Sequence, residues 1–152
     1  MVIVLDTFPA SSTGKQLGKS PSTSVKCQEW ISDCENSGHI VLVPAVVYYE
    51  ALREYELQQM HVQISRLKAF CLHPKRYLPL NLSHWELAAQ LWAQARRNGK
   101  PTADPQALDC DVLLAAQAIC LGLPTSEYIV ATTNPKHLSL FVPCDVWTNI
   151  SP

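Results

Sequence analysis

Three short runs, Val2-Ile3-Val4-Leu5, Ile40-Val41-Leu42-Val43 and Tyr128-Ile129-Val130-Ala131, are apolar without polar alternation. Runs of this length mark strands buried on both faces. Tyr77 to Leu80 is a weaker strand whose Pro79 suits a sheet edge, and Asp145 to Thr148 supplies a last one. Between the runs, apolar positions recur at helical spacing. Cys27, Trp30, Ile31 and Cys34 fall at i, i+3, i+4, i+7, with Gly38 as a stop. Pro44 suits the first turn of a helix carrying Val46, Val47, Glu50, Ala51, Glu54 and Leu57; Met60, Ile64, Leu67 and Cys71 continue it or form another. Ser83-His84-Trp85-Glu86 reads as a capping box, opening a helix with Leu87, Leu91 and Ala95 inward that ends at Asn98-Gly99. Asp109 to Leu121 is an almost wholly apolar helix, closed by Gly122 and Pro124. Thr7 to Ser24, rich in Ser, Gly, Pro and Lys, reads as a long loop.

Buried strands alternating with helices predict one α/β domain over residues 1–152. The expected form has three layers, with a central, mainly parallel sheet of four to five short strands flanked by helices. In such sheets, sites form beyond the carboxyl ends of the strands.

Composition narrows the class. A 47% hydrophobic content over 152 residues excludes whole-chain disorder. No stretch approaches the ~18 consecutive apolar residues of a membrane span. The opening run meets Asp6 after four apolar residues, so it is expected to be neither signal peptide nor anchor. Six cysteines without a C-x-x-C pair read as small core hydrophobes in a reduced cytoplasm. Twelve Lys+Arg against thirteen Asp+Glu give a charge of −1, so any nucleic-acid site is a local patch. Gly14 to Ser20 hints at a nucleotide phosphate loop, but its spacing is one residue short and Pro21 follows. Its Lys15 and Lys19 remain candidates for contacts to RNA phosphates. Trp85 and Trp92, seven apart on one helix face, read as core or dimer contacts.

The acids carry the chemistry. Asp6 ends the first strand, Glu50 lies near two turns into its helix, and Asp104, Asp109 and Asp111 gather around the start of the apolar helix. Asn134 follows the third strand after Thr132-Thr133. Carboxylates sharing one cleft repel each other and bind a cation, and oxygen ligands select Mg²⁺ or Mn²⁺ over zinc. Such a site suits attack of activated water on a phosphodiester. Structural readings stand beside this one. Asp104-Pro105 suits an N-cap followed by Pro at N1, Asp109 a second cap, and Glu50 a solvated helix position near Arg53.

Taken in order, Asp6-Thr7, the Pro-hydrophobic-Tyr-Glu helix near position 50, Asp-Val-Leu-Leu-Ala-Ala-Gln-Ala at 111–118 and Val-Ala-Thr-Thr-Asn-Pro-Lys-His-Leu at 130–138 resemble the PIN-domain ribonucleases. Pro101-Thr102-Ala103-Asp104 upstream of Leu108-Asp109-Cys110-Asp111 is similar to a subgroup of VapC-like toxins of type II toxin–antitoxin pairs. The resemblance implies a PIN-like fold and a Mg²⁺- or Mn²⁺-dependent endoribonuclease. Asp6, Glu50 and Asp111 match the acidic metal centre, and Asn134 stands where the family often has aspartate. Asp109 is the candidate for the missing charge, Thr133 for a nearby hydroxyl, and Asp104 for a supporting role. The implied partners are RNA, an antitoxin whose basic segment fills the acidic cleft, and a second copy in a homodimer. The alternative is a PIN-fold binding or regulatory module with weak or no catalysis, favoured by Asn134 and the irregular loop Thr7 to Ser24.

Overall fold

The computed structural model describes residues 1–18, 22–101, 104 and 108–152. Its framework is a sheet of β1 (Val2–Leu5), β2 (Ile40–Pro44), β3 (Tyr77–Leu78), β4 (Tyr128–Thr132) and β5 (Cys144–Val146), ordered β3-β2-β1-β4-β5. Every neighbouring pair is parallel, so all carboxyl ends open on one edge. β1 is central: Ile3 faces Val41 and Ile129 in register, and Ile3, Val4 and Leu5 expose no surface. A strand apolar at every position fits this place because both its faces are covered. The PIN-like fold expected from the sequence is the fold observed.

Around the sheet lie α1 (Thr7–Ser12), α2 (Ser22–Asn36), α3 (Ala45–Leu57), α4 (His61–Cys71), α5 (Leu82–Arg97), α6 (Cys110–Ile119) and α7 (Pro135–Leu138), with a 3₁₀ turn at Trp147–Asn149. The apolar stripe of α2 is buried as its spacing predicts, and Trp30 packs on Trp147 with ring centroids 5.7 Å apart. α3 and α4 are separate helices, parted at Gln59, whose φ of 53° breaks the helical path. α6 is buried along most of its length. Its Gln117, with no exposed surface, donates from Nε2 to the carbonyls of Leu78 (2.8 Å) and Pro79 (3.3 Å) and accepts from Val46 N (3.4 Å). One side chain thus ties α6 to the end of β3 and the start of α3.

Three expectations shift. Of the expected loop Thr7 to Ser24, Thr7–Ser12 is helix α1, opened by Asp6 as its N-cap, and Ser22–Ser24 is the first turn of α2; the hydroxyls that read as loop are satisfied on their own backbone. Ser11 and Ser12 Oγ donate to Phe8 O at 3.0 and 2.9 Å, and Thr13 Oγ1 donates to Ala10 O at 2.7 Å. Tyr55 OH donates to Ser11 O at 2.6 Å, and Gly14 leaves room for that ring: a Cβ there would lie 2.7 Å from Tyr55 Cε2. The capping box of α5 begins at Asn81, not Ser83. Asn81 Oδ1 accepts from His84 N (3.2 Å), and His84 Nδ1 accepts from Asn81 N (3.0 Å). The last strand is Cys144–Val146, one residue earlier than expected, and Trp147 already belongs to the 3₁₀ turn. Trp92 is half-buried against the core, whereas Trp85 is exposed.

All six cysteines are free. Cys27, Cys34 and Cys71 are buried, Cys110 and Cys144 half-buried, and Cys120 exposed. Burial pushes the Cys27 and Cys71 thiols up to about 12.

Candidate active site

Asp6 leaves β1 still in extended conformation, its N–H completing the ladder to Ala131 O at 2.9 Å. Its carboxylate is held at both oxygens. Oδ1 accepts from Thr7 N, capping α1, and Oδ2 accepts from Thr132 Oγ1, both at 2.6 Å. Thr132 is fully buried at the carboxyl end of β4 and also accepts from Asn134 N at 3.0 Å. Thr7 reaches the other way, donating from Oγ1 to Glu50 Oε2 at 2.7 Å. The second Glu50 oxygen accepts from Arg53 Nη2 at 3.3 Å, one helical turn on. Asp111, in the first turn of α6, meets His137 of α7 with Oδ2 and Nδ1 3.3 Å apart.

These acids share one field. Burial raises the Asp6 carboxyl above its usual range; the bonds from Thr132 and Thr7 oppose it, and the Glu50 charge adds to it. Burial also raises Asp111, followed by repulsion from Asp6 and Asp109, with His137 opposing. Half-buried Cys110 is pushed up to about 12 by burial first and then by Glu50. Mutual repulsion between partly buried carboxylates is the electrostatic setting that a divalent cation relieves. In donor chemistry, the all-oxygen set of Asp6, Glu50 and Asp111 fits a hard cation. Among the described residues, no three His, Cys, Asp or Glu side chains converge closely enough to enclose an ion.

The carboxyl edge therefore gathers Asp6, Glu50 and Asp111, with Asp109 beside them. Asp109 is buried and caps α6, its Oδ1 accepting from Val112 N at 3.3 Å, as the structural reading of that residue has it. Asn134 is exposed and caps α7, its Oδ1 accepting from Lys136 N at 3.4 Å. Thr133 is exposed; the hydroxyl that meets the acids belongs to its neighbour Thr132. Asp104 is exposed, and the flanking Thr102, Ala103 and Pro105 lie outside the described residues, as does Lys19. Lys15 lies over the Tyr55 ring, 5.1 Å from its centroid. Thr7, Thr132 and His137 are the participants that residue patterns passed over. Thr7 was legible as the second residue of Asp-Thr.

No protein-family model matches this chain, and no curated protein matches it. Solved structures do. VapBC2 from Rickettsia felis, bound to a DNA fragment from its promoter, aligns over 97% of this chain and 99% of its own, with TM-score 0.66 and 13% identity. VapBC-1 from nontypeable Haemophilus influenzae aligns over 97% and 99%, with TM-score 0.59 and 14% identity. DNA-bound VapBC from Salmonella typhimurium aligns over 97% and 98%, with TM-score 0.57 and 18% identity. At these identities the shared property is the fold, and it extends over nearly the whole of both chains.

Proposed function

We propose that this chain is a Mg²⁺- or Mn²⁺-dependent endoribonuclease and the toxin of a toxin–antitoxin pair. The observation that carries the reading is the trio Asp6, Glu50 and Asp111 at the carboxyl edge of a parallel sheet, Thr7 joining Asp6 to Glu50 and Asp111 lying half-buried in the first turn of α6. Asp6 and Asp111 would hold the cation, with Asp109 adding charge and Asn134 as a further candidate ligand. A cation held there would lower the pKa of a bound water and offset charge on the phosphoryl oxygens. Thr132 and Thr7 fix the Asp6 carboxylate, which limits its rotation before substrate arrives. Glu50, oriented by Thr7 and Arg53, accepts the proton of the attacking water; the phosphorus–oxygen bond opposite breaks, and the leaving oxygen takes a proton from solvent.

The match to VapBC structures supports an antitoxin partner for this chain as well. We extend the proposal to the cytoplasm as its location and to a homodimer, the latter measurable by light scattering of the purified protein.

The decisive experiment uses antitoxin-free protein and labelled single-stranded RNA. Cleavage is expected with Mg²⁺ or Mn²⁺, is lost in EDTA, and is lost in Asp6→Asn with the circular dichroism spectrum retained. Cleavage undiminished in Asp6→Asn refutes the assignment. A second reading, a PIN-fold binding module without catalysis, is favoured by the absence of three converging ligands among the described residues. It takes the lead if the protein binds RNA but never cuts it.

A further inference from the structure

Two hollows on one side of the acidic centre adjoin, with Lys100 and Leu140 in the lining of both. The first, of about 310 Å³, lies between the turn after α5 and helix α7 and is lined by Lys100, Lys136, His137 and Leu140. The second, of about 330 Å³, continues along α5 and is lined by Gln94, Asn98 and Phe141, sharing Lys100 and Leu140 with the first. His137 is the link to the acids, since its ring also touches Asp111. The groove therefore begins at His137, one contact from Asp111, passes two lysines and then meets a half-buried aromatic ring beside carboxamides.

Its charge is opposite to that of the centre it adjoins. No carboxylate lines either hollow among the described residues, and neither lysine has an ion pair there. This matters in a chain whose overall charge is −1, because only a local cationic strip can draw a polyanion to an acidic cleft. Lysines followed by an aromatic ring form the pattern by which single-stranded nucleic acid is held: cations track the phosphates, and a ring carries a base. Gln94, exposed on α5, and Asn98, exposed at its C-cap, supply donors and acceptors of the kind that read base edges. Lys15, the alternative phosphate contact, is turned over Tyr55 instead.

The geometry points to this groove as the track for the RNA strand beyond the scissile phosphate, with Lys100 and Lys136 as phosphate-positioning residues and the Gln94–Phe141 hollow as a base subsite. The inference rests on the nuclease reading for the direction of the strand, and its test separates the two.

A fluorescent single-stranded RNA is titrated with Asp6→Asn protein at several salt concentrations, and anisotropy is read. Each phosphate contact on a single strand contributes about 0.7 to the slope of log affinity against log salt. The Lys100→Ala/Lys136→Ala double variant should therefore lose about 1.4 from that slope, equally for every RNA sequence. Lys75→Ala, in the cleft of His39, His73 and Arg76 elsewhere on the molecule, should leave it unchanged. Gln94→Ala should keep the slope and alter the preference among sequences. An unchanged slope in the double variant overturns the track, as does a parent that does not bind RNA. If wild-type protein cuts RNA and the double variant cuts it with the same KM, the nuclease reading survives and the track falls. If the lysines lower the slope but nothing is ever cut, the track survives and the nuclease reading falls.

Discussion

Thr132→Val isolates the hydrogen bond on which the Asp6 geometry depends. The hydroxyl is fully buried and gives its proton to a carboxylate oxygen at 2.6 Å. Valine keeps the branched shape but leaves Asp6 Oδ2 without that donor. A hydrogen bond to a charged group contributes about 1.5–3 kcal/mol to stability. For a domain of this length each kcal/mol moves Tm by about 2–4 °C, so a fall of about 3–12 °C is expected at neutral pH. The pH dependence has a definite sign. Thr132 opposes the burial that raises Asp6, so the variant's native carboxyl holds its proton more tightly still. Stability then declines as pH rises through the interval between the unfolded and folded pKa values, because the native state binds more protons there. The gap between parent and variant is widest at pH 7.5 and narrows as pH falls towards the ordinary carboxyl value of 3.8. Scanning calorimetry in EDTA at several pH values measures it. Thr132→Ser keeps the hydroxyl and should cost about 1 kcal/mol for the lost methyl, at every pH. A Thr132→Val protein as stable as its parent at pH 7.5, or a gap that acid does not narrow, refutes the reasoning.

Three further outcomes follow from the same geometry. Asp111→Asn removes a carboxyl raised by burial and by Asp6 and Asp109, so in EDTA it should melt at or above the parent at pH 7, an advantage lost below pH 3.8; excess Mn²⁺ should reverse the order, with a monovalent salt control. Gly14→Ala drives a Cβ to 2.7 Å from the Tyr55 ring and 3.0 Å from Gln63 O, a backbone atom, and should cost about 1–3 kcal/mol by urea denaturation. Gln117→Leu leaves the Leu78 carbonyl without its donor in the interior and should cost about 2–3 kcal/mol, whereas Gln117→Glu, unable to donate when ionised, should cost at least as much.

The three inner strands β2, β1 and β4 were legible because they are apolar without polar alternation, a pattern that helices of this chain do not share until α6. Asp6 and Asp111 stood out as candidates because one directly ends an apolar strand and the other directly precedes an apolar run, whereas Glu50 by itself read equally well as a solvated helix residue. Helix α1 was not. Its serines and threonine look like loop residues by composition, and only their bonds to Phe8 O and Ala10 O reveal that they pack inward. Thr132 was hidden for a related reason: a threonine in a strand reads as a β-former, and its partner lies 126 residues away. His137 depends on a four-residue helix whose existence no periodicity can signal. In each case the missing information was a side chain's partner, and partners are set by tertiary structure.

The sulfur atoms carry a practical consequence. Five of the six thiols are buried or half-buried, and burial holds Cys27, Cys71 and Cys110 near 12 and Cys34 near 11, so they stay protonated at neutral pH and resist alkylation. A maleimide dye will therefore seek Cys120, the exposed one, in the native chain without any engineered site. Cys120 closes the helix that Asp111 opens, nine residues and about 14 Å along the axis from the acids. A fluorophore there is near enough to sense a quencher carried on an incoming strand and far enough to leave the carboxylates untouched.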